Sequence, residues 1–367
     1  MMRALLGILP IAASPLVACE ADDPKGTVFA EGEGAGGGEG EGEGGGEGDG
    51  DGEGEGEVAC ERPEGHYPDG WEACISDDGS YHLAGADIPS SAARAAAFEA
   101  IADRLWRQDG DPSAEDFALA EADYSESEGV GSRVARRYDS HVARPEGADC
   151  KADGAGATWP DHCVGPGRIE PLILAAFDAG IAENEPRENA RRVEAGLLWF
   201  YYVSAYKEAV TCVAKPKDCD SSWAYYGGGK QRDEELLGLG GLVQAADGGT
   251  HDAAFDAHLG LRCWRDLDPA ELSEDPQLHE RALGQLEAAL DRALVVVLRE
   301  RLGLLDGAEA PEQWAFLEVL GPVADRALRL KDAGAADALR DGWAGGMEGF
   351  DAADARSSLD AVLPCPY

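Results

Sequence analysis

A run of glycine and acidic residues over 31–57 limits how much of this 367-residue chain can fold. Only Gly, Glu, Asp and one Ala occur in it, and these residues cannot bury enough apolar surface to offset the loss of chain entropy. The run predicts a disordered tether that holds a domain at least ~25–30 Å from its attachment point. Cation capture by the acidic side chains is the alternative interpretation. The residues after 57 are enough for one large domain or two small ones.

Residues 1–18 predict an export signal, since Arg3 precedes an apolar run that ends in small residues. The residues over 16–19, Leu-Val-Ala-Cys, match the lipobox of bacterial lipoprotein signals. Cys19 is therefore the predicted lipidation site, and 19–57 the lipidated tether. Glu20 favours the outer membrane, at its periplasmic face or the cell surface. A plain secretory signal is the alternative, and a transmembrane anchor would need ~20 apolar residues.

The formal net charge of −41 arises from 72 Asp and Glu against 31 Lys and Arg. Such a surface repels nucleic acid and favours a cationic ligand. Adaptation to high salt gives the same composition, so acidity alone does not identify a partner. The predicted partners are the membrane, through the lipid, and a metal ion or a cell-envelope protein, with no nucleic acid.

Eight cysteines remain besides the lipidated one, an even number that suits an oxidising compartment. Short separations favour three local pairs and leave a fourth to tie down the C-terminal segment. A zinc site is the alternative, but no Cys-x-x-Cys occurs. With all cysteines used, none remains as a catalytic nucleophile. The predicted disulfides are Cys60–Cys74, Cys150–Cys163, Cys212–Cys219 and Cys263–Cys365.

Helical periodicity dominates the chain after residue 88, and strand signals are nearly absent. The segment 186–212 is so rich in aromatic residues that it predicts a central helix. Asp111 before Pro112 predicts the start of another helix. The predicted fold is all-α, a multi-helix bundle over 89–367 preceded by a small disulfide-bounded flap over 58–88.

An internal repeat is suggested by the order of elements. The predicted helix that contains Tyr202 is followed by a loop and a Trp-Ala-aromatic unit at Trp223. The predicted helix that ends near Leu302 is followed by a loop and a similar unit at Trp314. This order predicts a duplicated helical unit, with coincidence as the alternative.

No phosphate-binding loop, zincin motif or nucleophile elbow occurs, so the protein is predicted not to be an enzyme. His251 and His258 lie on one face of a predicted helix and could bind a metal. However, seven residues separate them by ~10 Å along the helix axis, which favours a structural role. His141, after Tyr138 and Asp139, is also interpreted as structural.

Tyrosines cluster on two segments, 201–206 and 225–226, that a 212–219 disulfide loop would hold close together. Phenolate and carboxylate oxygens are hard ligands that suit ferric iron, and acidic residues lie on the same segments. Alternatively, these rings are core residues whose hydroxyls form internal hydrogen bonds.

The order of an aromatic helix, a short loop and a Trp-Ala-aromatic-Tyr-x-Gly unit resembles the algal low-iron-inducible periplasmic iron-assimilation proteins and related imelysin-like bacterial lipoproteins. The resemblance covers about residues 115–345 and implies an all-α, duplicated bundle that binds ferric iron outside the inner membrane without catalysis. The matching positions are Asp220, Trp223, Ala224, Tyr226 and Gly228, with Trp314, Ala315 and Phe316 as a second copy.

Two departures from that family are visible. The imelysin His-x-x-Glu pair is missing, which argues against a peptidase, and the second copy lacks both an acidic residue just before Trp314 and a tyrosine after it. Lys230 or Arg232 is predicted to hold a synergistic anion. The predicted ferric-iron ligands are Tyr202, Tyr206, Glu208, Asp220 and Tyr226.

The leading hypothesis is therefore a lipid-anchored, extracytoplasmic, non-catalytic binding protein for ferric iron or another cation. The alternative is a structural or protein-interaction lipoprotein with no metal site. Convergence of Tyr202, Tyr206 and Tyr226 on a carboxylate would favour the first hypothesis over the second.

Overall fold

The described part of the chain is helical throughout, as its periodicity predicts. The structure is a computed structural model that describes residues 79–126, 129–267 and 277–366, and within these ranges no strand occurs. The predicted all-α fold is confirmed. All described residues belong to one compact unit, Glu57–Tyr367. None of the described helices is both long and apolar enough to cross a membrane.

The helices are labelled in chain order. The first half contains α1 (Ser90–Leu105), α2 (Ala114–Ser125), α3 (Val130–Val134), α4 (Ala155–Thr158), a π-helical turn (Gly165–Ile169), α5 (Glu170–Ile181), α6 (Pro186–Thr211) and α7 (Lys217–Gly227). The second half contains α8 (Gly238–Ala246), α9 (Gly248–Asp266), α10 (Leu278–Leu302), α11 (Ala310–Leu320), a 3₁₀ turn (Gly321–Ala324), α12 (Asp325–Lys331), α13 (Ala333–Gly345) and α14 (Ala352–Val362).

Helix α2 begins later than the Asp111–Pro112 pair predicts. Its N-cap is Ser113, whose hydroxyl accepts a hydrogen bond from the Asp116 backbone N–H, while the Asp116 carboxylate accepts one from the Ser113 backbone N–H at 2.8 Å. This capping box satisfies two backbone donors at once. Asp111 has no comparable partner three residues later, so the start moves to Ala114.

Helix α6 is the centre of the bundle, as its aromatic content predicts. It packs against α5, α7 and α11, and most of its side chains are buried. Gly196 allows the close approach of α5, because a Cβ there would lie 2.7 Å from Ile173 Cγ1. A helix enclosed on several sides offers different residues to different neighbours, and this property positions the sites described below.

Two disulfides are fully described, Cys150–Cys163 and Cys212–Cys219, and both are among the predicted pairs. Cys263 and Cys365 are also disulfide-bonded. Their bonding to each other stays a prediction, as does the Cys60–Cys74 pair, which lies outside the described residues.

The predicted N-terminal flap over 58–88 is not supported. Its residues 58–78, including both of its cysteines, lie outside the described ranges, and 79–88 form irregular chain. The described Cys150–Cys163 bridge lies elsewhere, between α3 and α5. The predicted signal peptide, lipidated Cys19 and tether over 19–57 also lie outside the described residues.

Candidate functional site

Two tyrosines of α6 meet two carboxylates of α10. Tyr202 and Tyr206 are four residues apart, and so are Glu287 and Asp291, so each pair shares one face of its helix. Arg326 of α12 reaches between the two helices. We call this group, with His141 and Asp139, the tyrosine cluster.

Arg326 is the centre of the hydrogen bonding in the tyrosine cluster. It donates to Asp291 Oδ1 at 2.9 Å, to Glu287 Oε1 at 2.9 Å and to the Tyr202 hydroxyl at 3.1 Å. The Tyr202 hydroxyl in turn donates to Asp291 Oδ1 at 2.6 Å. The Tyr206 hydroxyl donates more weakly, to Glu287 Oε2 at 3.4 Å. Each tyrosine therefore has one carboxylate oxygen as its partner.

His141 comes from the segment between α3 and α4 and covers the two phenol rings. Its ring stacks on Tyr206, with centroids 3.9 Å apart, and lies 5.5 Å from the Tyr202 ring. Its Nδ1 lies 2.7 Å from Asp139 Oδ1, which fixes the orientation of the ring. Its Nε2 is buried without a hydrogen-bond partner and lies 3.9 Å from Glu287 Oε1. An imidazole nitrogen is thus available beside a carboxylate.

The electrostatic environment of the tyrosine cluster is dominated by burial and by excess carboxylate. Burial raises the pKa of Tyr202 well above its ordinary value and that of Tyr206 to about 12, so both phenols are protonated at neutral pH. Burial also raises the pKa of Asp291, although the Arg326 charge opposes this change. For Asp139, burial would raise the pKa, but hydrogen bonding to His141 lowers it below its ordinary value.

The tyrosine cluster is partly exposed to solvent, at Glu287 and Arg326. The side chains of Glu287 and Arg326 are 31% and 26% exposed, whereas that of His141 is 2% exposed. Among the described residues, no group of three or more His, Cys, Asp and Glu side chains is arranged to hold a metal ion. A cation in this cluster would therefore need the two phenols as ligands and the displacement of Arg326.

The structure places the third predicted ligand, Glu208, in a different group. Its carboxylate accepts hydrogen bonds from Arg137 Nη1 and from Lys207 Nζ, each at 2.9 Å. Arg137 also donates to the Tyr225 hydroxyl at 3.1 Å. Burial would raise the pKa of Glu208, but the charges of Arg137 and Lys207 hold it below its ordinary value. Glu208 is thus engaged by cations of the protein itself.

Asp220 and Tyr226 of α7 lie in two further groups. Asp220 accepts hydrogen bonds from the Tyr81 hydroxyl at 3.1 Å and from the Ala84 backbone N–H at 3.0 Å, and it pairs with Arg265. These contacts hold the described chain before α1 against α7. The Tyr226 hydroxyl lies 3.3 Å from His251 Nδ1. The five predicted ligands therefore do not converge, and only Tyr202 and Tyr206 are brought together.

The remaining histidine of the predicted pair has internal partners. His258 Nδ1 lies 2.8 Å from the Ala254 carbonyl and its Nε2 lies 3.2 Å from the Ser222 hydroxyl. Burial lowers the pKa of His258 to about 4, so the ring is neutral. His251 and His258 flank the Tyr226 ring, with centroids 6.2 and 5.4 Å away. This arrangement is packing around a buried phenol.

The predicted anion residues are already paired. Arg232 donates to Asp252 Oδ1 at 2.7 Å, pairs with Asp256 and lies over the Phe255 ring. Lys230 lies 4.0 Å from Glu234 at the surface. Neither residue contributes to the tyrosine cluster, where Arg326 is the cationic side chain beside the tyrosines.

Sequence reasoning missed the cluster residues that are distant along the chain. Glu287 and Asp291 lie four residues apart on a leucine-rich helix. Acidic residues on the inward face of such a helix could have indicated a polar site there. Arg326 gave no local signal.

Compared with known proteins, the chain matches no family model, no curated protein and no solved structure.

Proposed function

We propose that this chain is a lipid-anchored, extracytoplasmic, non-catalytic binding protein that takes up a hard cation, with ferric iron as the best match, in the tyrosine cluster. The anchoring part of the proposal rests on the sequence alone. A lipid on Cys19 would attach the chain to the outer membrane, at its periplasmic face or at the cell surface. The observation that supports a bound cation is the buried Nε2 of His141, which has no hydrogen-bond partner and lies beside Glu287.

The donor chemistry supports this choice of cation. Two phenols, two carboxylates and one imidazole are hard or borderline ligands. Asp139 orients His141 as an outer carboxylate orients the histidine ligands of many metal sites. Because burial keeps the phenols protonated, binding of Fe³⁺ would release protons from Tyr202 and Tyr206, and affinity is expected to rise with pH.

Arg326 has a defined part in the proposal. In the free protein its charge offsets those of Glu287 and Asp291. A bound Fe³⁺ would replace that charge, and the released guanidinium would be available to an accompanying anion. This is the role that the sequence assigned to Lys230 or Arg232.

Titration of the mature chain carrying Cys19→Ser with ferric citrate tests the proposal. A visible phenolate-to-iron charge-transfer band that saturates at one equivalent is expected, with citrate alone as the blank. Tyr206→Phe should weaken the band, whereas Tyr226→Phe, a buried tyrosine outside the cluster, should leave it unchanged. Absence of a band in the parent chain would contradict the proposal.

A structural or protein-interaction lipoprotein without a metal site is the second candidate. The observation that favours it is that Arg326 already donates hydrogen bonds to both carboxylates and to the Tyr202 hydroxyl. Arg326→Met separates the two candidates. If the cluster binds cations, the variant loses stability and regains it when ferric citrate is added; if the cluster is only structural, no added cation restores its stability.

A duplicated helical unit and the resemblance to iron-assimilation proteins belong to the same proposal. The order of a long helix, a loop and a helix with Trp-Ala-aromatic recurs as α6–α7 with Trp223 and as α10–α11 with Trp314. This recurrence supports a duplication. The tyrosine cluster would then lie between the long helices of the two copies.

A further inference from the structure

A basic cleft lies on the other side of α6 from the tyrosine cluster. It has a volume of about 470 Å³ and is formed by residues of α1, α3, α6 and α7, with the segments after α3 and α6. We define the basic cleft by its eight cationic side chains, which are Arg94, Arg133, Arg136, Arg137, Lys151, Lys207, Lys215 and Lys217.

The charge of the basic cleft is opposite to that of the chain. The protein has a net charge of −41 and only seven lysines, yet four of these lysines line this one cleft. Its only lining carboxylates among the described residues are Glu208 and Asp218. A concentration of like charge destabilises a folded state unless something compensates it. The composition of this cleft therefore points to an anionic ligand.

Glu208 and Asp218, the described carboxylates that line the basic cleft, leave three of its lysines without an ion pair. Glu208 is shared between Arg137 and Lys207, and Asp218 accepts a hydrogen bond from the Thr211 hydroxyl at 2.8 Å. Within the described ranges, no carboxylate lies within ion-pairing distance of the ammonium groups of Lys151, Lys215 and Lys217. These three charges are the ones that a ligand would neutralise.

Buried donors lie at the inner wall of the basic cleft. Arg137 is 6% exposed, and its Nε is buried without a hydrogen-bond partner. Ser91 is 2% exposed, and its hydroxyl is also without a partner among the described atoms. Burial lowers the pKa of Lys207, although Glu208 opposes this change. Unsatisfied buried polar groups are costly, and oxyanion acceptors would satisfy them.

The two described disulfides hold the exposed lysines in place. Lys215 and Lys217 lie on the short loop that Cys212–Cys219 closes, and Lys151 follows Cys150 of the other bridge. The rim of the basic cleft is therefore braced by covalent bonds. Bracing of this kind lowers the entropy cost of gathering long cationic side chains around a ligand.

We propose that the basic cleft binds a small polyanion, one that bears two or more phosphate or carboxylate groups. Arginine forks and lysine ammonium groups are the usual partners of both oxyanions. The volume is that of a small-molecule site. The acidity of the rest of the chain disfavours an extended polyanion such as nucleic acid. This site shares no ligand residue with the tyrosine cluster.

Isothermal titration of the mature chain with pyrophosphate and with citrate, at constant ionic strength, tests this proposal. Saturable binding of at least one probe is expected, and the better probe identifies the oxyanion as phosphate or carboxylate. Lys215→Glu with Lys217→Glu, both at exposed positions, should weaken binding about tenfold or more, since each lost charge-assisted hydrogen bond is worth at least that factor. Lys151→Glu should also weaken binding.

The matched control is Lys230→Glu with Lys331→Glu, which makes the same change in net charge outside the basic cleft. Its affinity for the same probe should stay within about twofold of the parent, because distant exposed charges are screened. Thermal unfolding establishes that each variant is folded. The proposal is wrong if neither probe binds saturably, if the cleft variants bind as the parent does, or if the control weakens binding equally.

Discussion

The tyrosine cluster and the basic cleft take adjacent residues of one helix but have opposite charge. Tyr206 belongs to the first and Lys207 to the second, and successive residues of a helix point about 100° apart. Glu287 of α10 is the hydrogen-bond partner of Tyr206, whereas Lys207 pairs with Glu208 and lines the basic cleft together with Arg137 and the lysines of the 212–219 loop. The neighbouring elements therefore decide the chemistry of each face of α6. The helix itself supplies only the positions.

The largest expected difference between the two regions is in the free energy of unfolding that each loses when its central arginine is replaced. Arg137→Met would leave Glu208 buried with Lys207 as its one remaining cation, and breaking a buried ion pair from one side costs about 3–5 kcal/mol. Arg326 is more exposed, and Arg326→Met should cost only about 1–3 kcal/mol. Chemical denaturation of both variants measures these losses.

A control separates charge burial from lost packing in this comparison. The double variant Arg137→Met with Glu208→Leu removes both charges and should recover part of the stability that Arg137→Met loses. Equal losses for the two single variants would contradict the view that the cleft arginine is the more deeply embedded one.

The next difference is in pH dependence, which should have opposite signs in the two regions. The folded state lowers the pKa of Glu208 from its ordinary 4.5, so Glu208 contributes stability above that pH and loses the contribution as pH falls through its folded pKa. The folded state raises the pKa of Asp291 from its ordinary 3.8, so Asp291 contributes stability at low pH that disappears as pH rises through its folded pKa.

Unfolding free energies of Glu208→Gln and Asp291→Asn, measured between pH about 7 and about 2.5, test these signs. The deficit of Glu208→Gln relative to the parent should shrink on acidification. For Asp291→Asn, acidification should instead increase the unfolding free energy of the parent relative to that of the variant. Two differences that move in the same direction would show that the regions are not electrostatic opposites.

The smallest expected difference concerns single hydroxyls. The Tyr206 hydroxyl donates at 3.4 Å, so Tyr206→Phe should cost less than about 1 kcal/mol. The Tyr225 hydroxyl accepts from the charged Arg137 at 3.1 Å, and Tyr225→Phe should cost about 1.5 kcal/mol or more. Thermal unfolding of the two variants side by side gives the comparison, and the reverse order would contradict it.

The all-α fold and the two tyrosines of the cluster follow from local patterns in the sequence. The aromatic stripe predicts the central helix, and four-residue spacing predicts that Tyr202 and Tyr206 share a face. Glu208 lies two residues further on, which turns it about 200° away from Tyr206. The predicted ligands were grouped because they lie on the same segments, and the rotation between successive helical residues was not considered. The predicted ligand set therefore contains side chains that point in different directions.

The rest of both regions depends on contacts between distant segments. Tyr202 meets Asp291 and Arg326, which are 89 and 124 residues away in the chain. Helical periodicity carries no information about such pairs. The basic cleft did leave a signal, since four of the seven lysines lie between 151 and 217 in a strongly acidic chain. A regional count of lysines, separate from the total charge, would have found it.

The basic cleft is complete only when the Cys212–Cys219 disulfide has formed, because this bond closes the loop that carries two of its lysines. Structural disulfides form and persist in oxidising compartments and are rare in the cytosol. If the chain is exported as proposed, the loop that carries Lys215 and Lys217 is expected to be open before export, and the basic cleft incomplete. The precursor would pass through the phosphate-rich cytoplasm without retaining a ligand there, and binding competence would be acquired only on arrival.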